Sequence, residues 1–130
     1  DSAGKIIAGA RSPQGGFLDT EDFLASGNGF PAAVAPGTNT TLAVIVSNAD
    51  LSKTETNWVA QQGHNGIARA VRPSHTKHDG DTVFAASTGE IETQPDLVAI
   101  IGARLVAEAI RNAVHYAEAA GGVPASREAG

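Results

Sequence analysis

Cysteine and methionine are both absent from this chain, and aromatic side chains make up only 5% of it. Without cysteine there are no disulfides, no thiolate metal sites and no cysteine nucleophile. That absence leaves the compartment open. Without methionine the chain, which begins at Asp1, has no initiator residue and is expected to be a processed piece or a fragment of a longer protein. The shortage of aromatics, beside 15 glycines, calls for a core of Ala, Val, Ile and Leu in which backbones approach closely. A concentrated basic stretch is also missing. The 9 Lys and Arg are scattered, and against 14 Asp and Glu they leave a net charge of −5. Phosphate backbones are bound by clustered positive charge, so nucleic acid is not an expected partner. No apolar run approaches the roughly 20 residues that span a bilayer, and the first residues lack the pattern of a signal peptide. The expectation is a soluble chain, cytoplasmic by default, with no membrane partner.

What is present fits one domain: 130 residues, 42% of them apolar. Lys5 to Ala10 reads as a short strand. Ser12 to Pro36 is rich in Gly, Pro, Ser and Asn and is expected to be mostly loop, with one helical turn over DTEDFLA, residues 19 to 25. A loop of that length in a compact domain is usually functional or flexible, and a processing site needs such slack. Pro36 and Gly37 mark a turn before Leu42 to Val46, an unbroken apolar run. Thr40 to Asn48 is therefore expected to be a central strand covered on both faces.

A helix follows, opened by a capping box at Ser52 and Glu55 and stopped before Pro73. Trp58, Val59, Ile67, Ala70 and Val71 supply much of its apolar face. Gly63 and Gly66 cost it about 1 kcal/mol each relative to Ala, and allow close packing on a sheet. Thr82 to Ser87 is a further strand. Pro95 and Asp96 open a second helix to about Ala119. Its stripe is Leu97, Ile101, Leu105, Ala109, Ala113 and Ala117, widened by Val98, Val106, Ile110 and Val114. Gly121 and Gly122 are expected to stop it, leaving a frayed tail. The order strand, loop, strand, helix, strand, helix points to helix layered on sheet, an α/β fold.

Three clusters carry potential chemistry: Asn39-Thr40-Thr41, the stretch HTKHDGDT at residues 75 to 82, and the histidines His64, His75, His78 and His115. Asp79 and Asp81 are two apart and share one face of an extended segment. Gly80 between them lets the backbone turn or approach another group. Such a pair can pass protons or orient a hydroxyl, but Asp-Gly is also the ordinary composition of a solvated turn. His75, His78, Asp79 and Asp81 read H-x-x-H-D-x-D, all nitrogen or oxygen donors, at a spacing that matches no established metal motif. No metal and no cofactor are expected. His64 and His115 fall on the two helices, where a lone histidine is usually an ordinary surface or core residue. Asn39-Thr40-Thr41 fits a glycosylation acceptor, which needs a secretory route, and equally fits a strand entry of β-branched residues.

Taken together, TNTTLAVIVSNADLSK, HNGIARAVRPSHTKHDGDTVFAASTGEI and the closing GGVPA resemble the self-processing aminopeptidase family. It includes L-aminopeptidase/D-esterases, β-aminopeptidases, a pantetheine hydrolase and the nylon-oligomer hydrolases. The resemblance covers nearly the whole chain, most tightly residues 37 to 92, and identifies it with the C-terminal part of a precursor. It implies a four-layer αββα sandwich of the N-terminal-nucleophile type, of which this chain covers part. Residues 1–39 would be the C-terminal end of the larger segment, a strand plus flexible loop, and residues 40–130 the smaller segment. It implies self-cleavage between Asn39 and Thr40, with Thr40 as nucleophile, and places the two aspartate roles of the nylon-oligomer hydrolases on Asp79 and Asp81. The peptidase branch has a Ser and an acidic residue there, so Asp79 marks a Thr/Asp/Asp variant.

The implied partners are the larger segment of the same precursor, further αβ units in a homo-oligomer, and a small amide substrate. That substrate would be a short peptide, a β- or D-amino acid amide, or an amide oligomer. An oxyanion-binding Asn would lie in the larger segment, outside this chain. Two rival readings remain beside the amidohydrolase. One is an acyltransferase of the ornithine acetyltransferase type, which shares the fold and the cut before a Thr. The other is an inactive binding domain of the same fold, recognised by an intact Asn39–Thr40 bond.

Overall fold

The structure, a computed structural model, describes residues 1–29 and 39–126. Its elements are α1 (Thr20–Ala25), β1 (Leu42–Ala49), α2 (Lys53–Ala70), β2 (Thr82–Ile91) and α3 (Pro95–Tyr116). Each helix starts where local chemistry provides for its free N–H groups. Asp19 accepts from the N–H groups of Glu21 and Asp22 and so caps α1. At α2 the Ser52 hydroxyl accepts from the Glu55 N–H, and the Glu55 carboxylate accepts in return from the Ser52 N–H. Pro95 occupies the first turn of α3, where its missing N–H costs nothing. α2 ends at Ala70, with Val71 already extended ahead of Pro73.

β1 and β2 run parallel, Leu42 opposite Thr82 through Ser47 opposite Ser87, with an irregularity before Ala49 meets Ile91. α2 crosses between them, and α2 and α3 cover one face of the pair. Side chains alternate along a strand, so Ile45 and Val83 turn inward. They join Val59 and Ile67 of α2 with Ala99 and Val106 of α3 in one core. Small residues set how close these layers come. A Cβ at Gly63 would lie 2.6 Å from Val83 Cγ1, one at Gly66 would lie 2.3 Å from the Ala103 carbonyl oxygen, and one at Gly102 would lie 3.0 Å from Ile45 Cδ1. Gly63 thus packs on the sheet as its position predicts, whereas Gly66 packs on α3.

Several expectations change. β1 is covered on one face only among the described residues: Leu42, Val44, Val46 and Phe84 on the other face are 68%, 65%, 72% and 57% exposed. Lys5 to Ala10 forms no strand: β1 and β2 pair with each other, and at the end of this segment the chain turns back on itself, the Leu18 N–H donating to the Ala10 carbonyl and Arg11 bridging Phe17. β1 begins at Leu42 rather than Thr40, and β2 runs on to Ile91. The stripe Leu97, Ile101, Leu105 faces outward, about half exposed. The buried side of α3 is Ala99, Gly102, Ala103, Val106 and Ala107, because an interhelical approach this close admits only small side chains. α3 stops at Tyr116, and Gly121 and Gly122 instead serve a turn closed between Ala120 and Val123. The tail returns to α3: Ala125 is buried and the Ser126 hydroxyl donates to the Val114 carbonyl. Residues 127–130 of that tail, and 30–36 of the expected loop, lie outside the described residues. No helix among the described residues is long and apolar enough to cross a membrane.

Candidate active site

The pairing of the two strands does not end at Leu42. Asn39 forms a parallel bridge with Asp79, and the Gly80 N–H donates to the Asn39 carbonyl at 2.8 Å. The Thr82 N–H donates to the Thr41 carbonyl at 2.9 Å. Asn39 to Asp79 and Leu42 to Thr82 share one offset of 40 residues, so Thr40 stands opposite Gly80 and Thr41 opposite Asp81. In a regular parallel ladder the Thr41 N–H would donate to the Gly80 carbonyl. Here it donates to Asp81 Oδ1 at 2.8 Å, while the Gly80 carbonyl accepts from the Thr82 hydroxyl at 3.1 Å. A side-chain carboxylate has replaced a ladder carbonyl at the mouth of the sheet, which is why β1 starts two residues later than its β-branched pattern predicts.

Asp81 is the buried member of this group, its side chain 5% exposed. Its other oxygen, Oδ2, lies 3.2 Å from His75 Nδ1 and accepts from the His75 N–H at 3.4 Å. His75 has a φ of 57°, a left-handed conformation uncommon outside glycine, and that turn brings both its N–H and its ring to the carboxylate. The His75 ring also packs against the His64 ring, centroids 4.9 Å apart and tilted, and its Nε2 lies 3.5 Å from the His64 carbonyl. Sequence reasoning set His64 aside as a lone helical histidine and considered His75 only as a metal donor. The missed link joins α2 to a loop eleven residues on, and only the turn after Pro73 creates it.

Asp79 is placed differently. Its Oδ2 accepts from the Thr76 N–H at 2.7 Å, its own N–H donates to the Thr76 carbonyl, and the His78 N–H donates to the Thr76 hydroxyl. Asp79 therefore closes the loop 76–79 that leads into Asp81. The two aspartates of DGD thus do different things: Asp79 makes the turn, and Asp81 reaches the Thr41 backbone N–H. His115 is remote from this group, edge-on to Tyr116 near the end of α3. No three His, Cys, Asp or Glu side chains among the described residues are grouped to hold a metal ion.

Thr40 itself is exposed, and its hydroxyl sits against the Gly80 backbone: a Cβ built on Gly80 would come within 2.8 Å of Thr40 Oγ1. The arrangement puts a secondary alcohol and the carbonyl before it opposite Gly80, with the Asp81 carboxylate on the next N–H along the chain. A cavity of about 600 Å³ lies elsewhere, between the first residues of the chain and the ends of α2 and α3.

Comparison with known proteins bears on this group. Residues 4–127 match the profile of Peptidase family S58. The chain is 36% identical to an uncharacterized aminopeptidase of Mycobacterium tuberculosis, over 69% of this chain and 30% of that protein. It is 38% identical to a 6-aminohexanoate-oligomer endohydrolase of Paenarthrobacter ureafaciens, over 71% of this chain and 26% of that protein. A putative NylC-analogous protein of Agromyces sp. is also 38% identical, over 71% of this chain and 31% of that protein. The chain spans under a third of the length of these curated relatives.

Proposed function

The chain belongs to peptidase family S58, and from that premise we propose that the protein carrying it is a self-processing amide hydrolase whose nucleophile is Thr40. The observation that carries the reading is the Thr41 N–H held by the buried Asp81 carboxylate, next in the chain to the exposed residue Thr40. A threonine hydroxyl is a poor nucleophile until a base takes its proton. While Asn39 is attached, the nitrogen of Thr40 is an amide and is not basic. Once the Asn39–Thr40 bond is cut, Thr40 carries an α-amino group, a class that ordinarily titrates at about 7.7–8.0. That amine can accept the hydroxyl proton and return it to a leaving amine, with the near-neutral basicity that general acid–base work requires.

Two reactions share the nucleophile. In the precursor, Thr40 Oγ attacks the Asn39 carbonyl carbon, the C–N bond breaks, and water opens the resulting ester to an Asn39 carboxylate and a free Thr40. In the mature enzyme the same oxygen attacks a substrate amide, forms an acyl-Thr40 ester and releases an amine, and water frees the acid. Asp81 orients the Thr40–Thr41 backbone, and Asp79 supports Asp81 by fixing the loop before it. The substrate class is that of the relatives' names: short peptides with a free amino end, or oligomers of an amino acid such as 6-aminohexanoate. A larger segment of the same precursor completes the site. The bare sheet face of Leu42, Val44, Val46 and Phe84 is where its sheet would stack, giving four αββα layers, and assembly of such units into a homo-oligomer belongs to the same reading.

Intact-mass measurement of the full-length protein tests this directly. Two species are expected, the smaller beginning at Thr40, and a Thr40→Ala variant should stay whole and inactive on amides. A Thr40→Ala variant that still splits there removes Thr40 as nucleophile. A wild type that stays whole on prolonged incubation favours the binding-domain alternative.

A further inference from the structure

Gly80 meets both reacting groups of the proposed self-cleavage. Its N–H donates to the carbonyl of Asn39 at 2.8 Å, and its bare Cα leaves the space in which Thr40 Oγ1 sits. Resting on the reading of Thr40 as nucleophile, we infer that Gly80 is a catalytic residue of self-cleavage: its backbone N–H is an oxyanion donor, and its lack of a side chain fixes the hydroxyl for attack. When Thr40 Oγ bonds to the Asn39 carbonyl carbon, the electron pair of the C=O moves onto the Asn39 oxygen, where this N–H already points. As the C–N bond then breaks, the pair returns to the carbonyl and the Thr40 nitrogen takes the proton that left the hydroxyl. A preorganised donor of this kind is typically worth about 10²–10³-fold in rate.

The bond is also a ladder hydrogen bond, and the ladder's own interruption separates the two roles. The next pairing inward, from the Thr41 N–H, has been given up to the Asp81 side chain. The bond to the Asn39 oxygen is kept. The carbonyl side of the cut is thus held by the sheet's own bond, and the leaving-nitrogen side by the Asp81 carboxylate through Thr41. Gly80 has no left-handed φ, so its backbone conformation admits an L side chain; what excludes one is Thr40 Oγ1 at 2.8 Å, the next nearest atoms, the Asn39 oxygen and Thr40 Cβ, lying at 3.8 and 3.9 Å.

The experiment follows the uncut full-length protein over time by intact mass, for wild type and Gly80→Ala. Gly80→Ala should cut at least about 100-fold more slowly, since a displacement of roughly 1 Å at the attacking atom costs that much. If wild type cuts and Gly80→Ala cuts at the same rate, the role of Gly80 is wrong while Thr40 as nucleophile stands. If wild type does not cut at all, both fall. To separate a rate effect from misfolding, Gly80→Ala is also introduced into two inert backgrounds, Thr40→Val and Thr40→Ala, and thermal midpoints are compared. It should lower the midpoint in the Thr40→Val background, where a methyl branch occupies the place of Oγ1, and leave it unchanged in the Thr40→Ala background. An equal loss in both backgrounds would mean that the added methyl group acts on the loop at large and would overturn the inference.

Discussion

Two carboxylates in this chain each accept a backbone N–H at 2.8 Å: Glu55 from Ser52, three residues away, and Asp81 from Thr41, forty residues away. The chemistry of the two bonds is the same. Their settings differ in range and in burial. The Glu55 bond lies exposed at a helix start that would need a partner in any protein, and it closes a local ring with the Ser52 hydroxyl. The Asp81 bond interrupts a sheet that could have paired by itself, and its carboxylate is enclosed by His75 and the strand mouth. A local side-chain acceptor completes secondary structure. A distant, buried one displaces it, and what the displacement leaves beside Asp81 is the exposed hydroxyl of Thr40. Substitutions near Glu55 should therefore be read as stability, and substitutions near Asp81 as activity.

The largest effect is expected at Thr40. Thr40→Ala should abolish self-cleavage and lower amide hydrolysis by about 10⁴-fold or more, since the proposed acyl ester forms on the Thr40 hydroxyl. Intact mass and release of amine from an amide substrate check it. Asp81→Asn comes next. It keeps the size of the side chain, loses the charge and turns one of the two acceptor oxygens into a donor, so Thr41 and His75 can no longer both be served. Self-cleavage and kcat should fall by about 10²–10⁴-fold, the usual scale for a positioned acid–base group. An Asp81→Asn protein that cuts and turns over normally would reduce this carboxylate to a second Glu55.

A packing position sets the scale for plain stability. Gly66→Ala gains about 1 kcal/mol of helix propensity, yet its Cβ would lie 2.3 Å from the backbone oxygen of Ala103, which cannot rotate away. Overpacking of this kind costs about 1–3 kcal/mol, and more where backbone must move, so a net loss is expected in denaturant unfolding of the full-length protein. Activity per folded molecule should be unchanged, since Gly66 packs on α3 and not at the sheet mouth.

Those three sites also differ in how far the amino-acid sequence discloses them. The capping box at Ser52 and the stop before Pro73 are local patterns, and each forms where its residues predict; the strand expected from Thr40 also forms, but from Leu42. The inner face of α3 was legible only in part: Val106, with Val98 and Ile110 packed beside the core, was named, but the stripe centred on Leu97, Ile101 and Leu105 faces outward while the fold buries Ala99, Gly102 and Ala103. The approach of α2 and α3 favours absence of side chain over hydrophobic size, and spacing alone does not encode that approach. Lys5 to Ala10 has strand composition, but among the described residues its strand-like pairing is confined to its end, where the Ala10 carbonyl accepts from the Leu18 N–H, and pairing is a property of two segments. At the site, Asn39-Thr40-Thr41 and Asp79-Gly80-Asp81 each stand out alone. Their alignment at a fixed offset comes from the parallel register, and the resemblance to a known family, not the residues' own pattern, anticipated it. His64 against His75 was hidden for the same reason: a helix face and a left-handed turn meet only in three dimensions.

The smallest effect belongs to the local carboxylate, and pH sharpens it. Ser52→Ala removes the hydroxyl half of the capping box and should cost about 1 kcal/mol in stability. Hydrogen bonds from the Ser52 hydroxyl and then the Ser52 N–H hold the Glu55 carboxyl below its ordinary value of 4.5. A group whose folded value is depressed adds stability that is fully present above the unfolded value and is lost as pH falls through the folded one. The difference between wild type and Ser52→Ala should thus be constant from neutral pH down to about 5 and shrink below the ordinary glutamate range, as protonation takes from Glu55 the charge that the Ser52 hydroxyl and N–H both favour. Unfolding midpoints of the two proteins across that range measure it. A difference that grew toward acid would mean that Ser52 prefers the protonated carboxyl, and the contrast between a stabilising Glu55 and a functional Asp81 would then rest on Asp81 alone.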